Sequence, residues 1–106
     1  MIVRLSAAGA IVRDPDDLAG LRLETDLDAD GVRTALTTIG TGELRDDGTA
    51  LLDVAVLRSL AVMSIGPAAA PDWPQRWKAM IEDARRRGLL SADGRSVRVP
   101  VSRAQR

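Results

Sequence analysis

Leu21-Arg22-Leu23-Glu24-Thr25 alternates apolar and polar side chains, and Asp28 then opens a stretch in which Val32, Ala35, Leu36 and Ile39 recur at helical spacing before Gly40. A period of two turns one side of the segment toward a core and the other toward water, which is the pattern of a half-buried strand. The Asp28 carboxylate can accept the amide hydrogens that a first helical turn leaves without partners. Gly40 can take the left-handed conformation that closes a helix. Between them lies an amphipathic helix with a core-facing stripe. The same unit returns downstream, where Thr49-Ala50-Leu51-Leu52 leads into Asp53 and a helix containing Val54, Leu57, Leu60 and Ala61. Strands joined by short turns to capped helices predict an α+β fold, with short antiparallel β-hairpins packed against about three helices in a single domain over residues 1–106.

Outward from these units, Ile2, Val3 and Leu5 form one short strand, and a turn at Gly9 leads into Ala10 to Val12, predicting a hairpin. Asp14-Pro15-Asp16-Asp17 reads as a turn. Asp46-Asp47-Gly48 lies between two extended runs and favours a hairpin, because Asp-Gly tolerates positive φ. Gly66-Pro67-Ala68-Ala69-Ala70-Pro71 reads as a short loop. A last helix starts near Asp72 or Pro74 and ends at Gly88, with Trp73, Trp77, Met80, Ile81 and Ala84 as its apolar stripe. Glu82 and Asp83 sit four residues before Arg86 and Arg87, a favourable order on a helix. Leu89-Leu90, a turn at Ala92-Asp93-Gly94, and Val97 to Val101 read as a terminal hairpin, with Ser102 to Arg106 as a frayed tail.

A chain of 106 residues buries roughly 65% of the surface its unfolded form exposes, enough for a core without staples. The sequence has no cysteine, so disulfides and thiolate metal sites are excluded and the cytoplasm is the expected compartment. No run approaches the ~18 apolar residues that read as a membrane span, so no membrane partner is expected. His, Tyr, Phe and Asn are also absent. Without imidazole or thiol, catalysis would rest on carboxylates, Lys78, or Ser and Thr hydroxyls, and a non-catalytic protein with no cofactor is expected. The pairs Asp16-Asp17 and Asp46-Asp47 fall in turns and Asp53 at a strand-to-helix junction, where turn and cap chemistry account for them.

Charge divides the chain. Residues 1–53 carry five Arg against eleven Asp and Glu, and residues 54–106 carry ten Arg and Lys against four acids, although the whole is neutral. One reading is mutual neutralisation in the fold. The other is a basic face for an anionic partner. Asp26-Leu27-Asp28-Ala29-Asp30-Gly31 matches the opening of an EF-hand calcium loop, making Asp26, Asp28 and Asp30 the metal candidates. Arg33 and Thr37 stand where that loop requires an apolar residue and a bidentate acid, which favours capping. Trp73 and Trp77 are the only aromatics; one helical turn apart, they serve either as core anchors or as interaction residues at an interface.

Ala84-Arg85-Arg86-Arg87-Gly88-Leu89-Leu90, the turn with Asp93-Gly94-Arg95, and Val97-Arg98-Val99 resemble the recognition-helix end and wing of MarR-like winged-helix regulators, and Leu60-Ala61 resembles the Leu-Ala that begins their helix-turn-helix. That resemblance implies a helix in the major groove and a wing on phosphates, with Arg85, Arg86, Arg87, Arg95 and Arg98 as the phosphate-contacting nucleic-acid candidates. Three features depart from the family pattern: the long 66–71 loop, the two Trp, and an N-terminal half of hairpins. The whole chain also resembles a group of small bacterial α+β proteins with no known activity, through Leu52-Asp53-Val54, Leu57-Arg58-Ser59-Leu60-Ala61, Trp77, Ala84-Arg85, Gly88, Asp93-Gly94 and Val97-Arg98. The expectation from the residues is a non-catalytic interaction module or accessory subunit, self-associating as a homodimer or binding another protein. DNA binding through the basic half is the alternative, and a carboxylate enzyme or calcium binder the third reading.

Overall fold

The alternating segments assemble into one six-stranded sheet with a continuous apolar face. This computed structural model describes residues 1–18, 20–66 and 71–103. The strands are β1 (Ile2–Ser6), β2 (Gly9–Arg13), β3 (Arg22–Thr25), β4 (Gly42–Leu44), β5 (Thr49–Asp53) and β6 (Ser96–Arg103). Their spatial order is β2-β1-β3-β6-β5-β4. Two of the three predicted hairpins, β1–β2 and β4–β5, form the ends of the sheet, and β5 also runs antiparallel to β6. The pairs β1–β3 and β3–β6 are parallel, so the sheet is mixed. Directly opposed residues share a face. The register sets Val12 beside Val3, Val3 beside Leu23, Leu23 beside Val101, Val99 beside Ala50, and Val97 beside Leu52.

Three helices bury this face: α1 (Ala29–Ile39), α2 (Val54–Ile65) and α3 (Trp73–Arg86). Val32, Ala35 and Leu36 from α1, Leu57 and Ala61 from α2, and Trp73, Trp77 and Ala84 from α3 join the strand residues in a single core. Both caps form as their side chains require. Asp28 accepts from the Gly31 amide at 2.8 Å and Asp53 from the Val56 amide at 2.9 Å. Gly40 closes α1 at φ 73°. Gly42 is needed for another reason, since a Cβ there would overlap the Leu51 carbonyl group of β5. The opposite face of the sheet carries Arg4, Ile11, Arg13, Arg22, Glu24 and Arg98, none of them buried.

β6 departs from the sequence reading. Between Leu89-Leu90 and Val97–Val101 only one bridge forms, Leu90 to Val97, and β6 lies in the middle of the sheet. Its first half is flanked by the 89–91 segment through the Arg98 amide to the Leu89 carbonyl and the Ser91 amide to the Ser96 carbonyl. From Val101 onward its neighbour on that side is β3. Backbone amides two residues apart point the same way, so the ring nitrogen of Pro100 faces the side on which the Arg98 amide is bonded. It therefore falls at the changeover between the two neighbours, where a proline breaks no ladder bond. Pairing continues through Ser102 and Arg103, opposite Glu24 and Thr25. Residues 104–106 of the expected tail and 67–70 of the expected loop lie outside the described residues. On α3, Arg86 turns to Asp83 at 3.7 Å and Arg87 reaches the same carboxylate at 3.0 Å. Among the described residues no helix is long and apolar enough to cross a membrane.

Candidate functional site

The three calcium-motif aspartates do not converge. Asp28 spends its carboxylate on the cap, and Asp30, at the exposed start of α1, pairs with Arg33 at 3.3 Å. Among the described residues no three His, Cys, Asp or Glu side chains gather where they could hold a cation. Trp73 and Trp77 stack with ring centroids 5.5 Å apart, and they are only 2% and 5% exposed. The Trp73 indole donates to the Pro15 carbonyl at 3.0 Å, tying α3 to the turn after β2. Neither ring offers a partner more than a sliver of surface. Arg85, Arg86 and Arg87 occupy the end of α3, with Asp83 holding two of them; Arg95 lies in the turn before β6, and Arg98 lies on β6 itself.

Exposed apolar side chains lie elsewhere. Among the described residues the exposed large hydrophobic side chains are Ile11 at 61%, Val62 at 46% and Met63 at 79%. Ile11 is on edge strand β2, opposite Arg4 and so on the open face of the sheet. Val62 and Met63 are on α2, which packs against β2: the Ser64 hydroxyl donates to the Val12 carbonyl at 2.7 Å, tying the neighbours of Met63 and Ile11 together. Helix α2 has to expose apolar groups because its sequence, VAVLRSLAVMSI, is apolar nearly all round and only Leu57 and Ala61 are buried. The reading of Val54, Leu57, Leu60 and Ala61 as a core stripe leaves Val62 and Met63 on the other side, and that is the signal in the sequence for this rim.

A second feature is a cleft of about 340 Å³ between the C-terminal half of α3 and the sheet. Its lining is largely apolar, with Leu21, Met80, Ala84, Leu89, Val97 and Val99, and includes Thr49 and Pro100. The charged residues among its lining are Asp83, Arg87 and Arg98, the last belonging to the open face of the sheet. Arg87 is paired with Asp83, whereas Arg98 has no carboxylate within ion-pair distance among the described residues. Arg98 also acts electrostatically on Asp47, whose carboxylate accepts from the Thr49 hydroxyl at 2.6 Å and the Thr49 amide at 3.0 Å. Those bonds hold the Asp47 carboxyl below its ordinary value of 3.8. The Asp93 carboxyl is lowered in the same way by the Ser91 hydroxyl and the Arg95 amide. Inside the core, the Thr41 hydroxyl is buried without a hydrogen-bond partner among the described residues, beside a void of about 10 Å³.

No protein-family model, curated protein or solved structure matches the chain.

Proposed function

We propose that the chain is a non-catalytic interaction module that self-associates through the rim formed by β2 and α2. The observation that carries this reading is that the exposed Ile11, Val62 and Met63 sit on two elements that pack together at a free edge of the sheet, Ile11 on the open face of β2 and Val62 and Met63 on α2. A patch this small gains most from a second copy related by a two-fold axis, because each apolar group then meets the same patch and the buried area doubles. Net charge favours the same occupant: the chain is neutral at pH 7, so two copies approach without long-range repulsion. Nucleic-acid binding draws less support, because Asp83 neutralises part of the Arg85–Arg87 cluster and no aromatic side chain is free for stacking. A cytoplasmic location belongs to the same proposal and is supported by the lack of cysteine. Sedimentation equilibrium from micromolar to near-millimolar concentration tests it. The expected result is a mass rising from 11.3 kDa toward twice that value for the natural chain, and a constant mass for Met63→Glu. A natural chain that stays monomeric throughout overturns the proposal.

A further inference from the structure

We infer that two copies of the chain join through β2 itself, the strand of one copy adding antiparallel to the strand of the other so that one sheet runs through both. This rests on the self-association proposed above and names the contact that makes it. Among the described residues no strand lies beyond β2, and an edge of this kind offers its unbonded backbone groups to another strand. Those groups can be assigned. On β1 the Met1 carbonyl accepts from the Arg22 amide and the Leu5 carbonyl from the Thr25 hydroxyl, so alternate residues of β1 turn their polar backbone toward β3. Ile2 and Arg4 therefore bond to β2, through their partners Arg13 and Ile11. Ala10 and Val12 are left pointing their amides and carbonyls away from β1. The Ser64 hydroxyl on the Val12 carbonyl agrees with that direction, and the second lone pair of a carbonyl can take another donor.

One register suits a two-fold axis. With Ala10 opposite Val12 of the second copy, the outward residues exchange backbone bonds on both sides of the axis, and Ile11 meets Ile11 in a non-bonded pair with Cα atoms about 4.5 Å apart. On the open face the exposed Ile11 side chains cover one another, and Arg13 falls opposite Gly9, so no two guanidinium groups are opposed. On the core side the row Val3–Val12 continues into Ala10–Leu5 of the second copy with no polar side chain. The registers that set Ala10 on Ala10 or Val12 on Val12 put Ile11 against Gly9 or Arg13 instead. The Ser64 bond brings the last turn of α2 to this edge, so Val62 and Met63 flank the joined strands. The opposite edge is less suited: β4 has three residues, and its exposed Glu43, paired with Arg45, is the kind of charge that protects an edge.

The chain has no cysteine, so single substitutions report the register by cross-linking. Ile11→Cys and Arg13→Cys are each oxidised with copper–phenanthroline at a concentration where the natural chain is dimeric by sedimentation. Ile11→Cys should become a covalent dimer. Arg13→Cys should stay monomeric on a non-reducing gel, because four residues of strand, about 13 Å, separate the two sulfur positions, well beyond the roughly 7 Å that a disulfide spans between Cα atoms. Hydrogen exchange on the natural chain gives a second readout that needs no substitution. The Ala10 and Val12 amides should slow about tenfold or more from the monomeric to the dimeric end of the concentration range, and the Ile11 amide, already bonded to β1, should change less. A dimer in which Ala10 and Val12 exchange as fast as in the monomer, or in which Arg13→Cys cross-links as readily as Ile11→Cys, overturns the strand pairing and leaves the rim as the interface. A natural chain that is monomeric throughout overturns both.

Discussion

Gly42→Ala should be the most damaging single-methyl addition in this chain. A Cβ at Gly42 would overlap the Leu51 carbonyl group and sit 3.1 Å from the Leu52 Cα. These atoms belong to backbone, so no rotamer change relieves the clash and β4 has to move away from β5. That movement strains the pairs Gly42–Leu52, Glu43–Leu51 and Leu44–Ala50, together with the bond from the Asp53 amide to the Thr41 carbonyl. Overpacking against rigid neighbours costs about 1–3 kcal/mol, and each weakened hydrogen bond adds about 1 kcal/mol. A loss of about 3 kcal/mol is therefore expected, equivalent to a fall in Tm of roughly 12–24 °C for a domain near this size. Gly48→Ala is the control: it has open space around the new Cβ and only the strain of φ 83°, about 1–2 kcal/mol. Urea denaturation followed by far-ultraviolet circular dichroism measures both. A Gly42→Ala variant within 0.5 kcal/mol of the natural chain, well inside ordinary surface-mutation effects of about that size, would refute the close-approach argument.

Other substitutions probe the remaining supports. Asp53→Ala removes the acceptor for the Val56 amide and should cost about 1 kcal/mol in the same denaturation assay. Thr41→Val replaces a buried hydroxyl that has no partner with a methyl of similar volume; it should be neutral or stabilising, and a loss above about 1 kcal/mol would mean the hydroxyl is bonded after all. The Asp47 and Asp93 carboxyls are held below 3.8 by hydrogen bonds that the unfolded chain lacks. Their contribution is therefore complete above that pH and lost as the pH falls through the folded-state values. Asp47→Ala should thus lower stability at neutral pH, and the gap to the natural chain should close as the pH is taken well below 3.8 in a series of urea titrations.

Much of the architecture was legible because local chemistry and tertiary packing agree. Asp28, Gly40 and Asp53 bound their helices in the sequence as they do in the structure, and the Asp46-Asp47-Gly48 turn joins the strands it separates. Strand order was not legible, because alternation in Leu21–Thr25 or Val97–Val101 specifies a buried side without specifying a neighbour. Pro100 pointed away from a central position, and only the change of neighbours along β6 reconciles the two. The site followed the same division. The pattern of α3 identifies Trp73 and Trp77 as a pair but leaves their exposure undecided until the turn at Pro15 is placed over them. Val62 and Met63 could have been noticed as apolar groups off the core stripe of α2. Their proximity to Ile11, some fifty residues earlier in the chain, is a product of the tertiary packing of α2 on β2.

The most direct test of the α2–β2 rim is methyl nuclear magnetic resonance of the natural chain at increasing concentration, following Ile11, Met63 and Met80. The Ile11 and Met63 methyl signals should move together along one binding curve, while Met80, beside the cleft under α3, stays fixed. Signals that do not move as the concentration rises, or movement at Met80 with Ile11 and Met63 unchanged, would contradict the assignment of the interface.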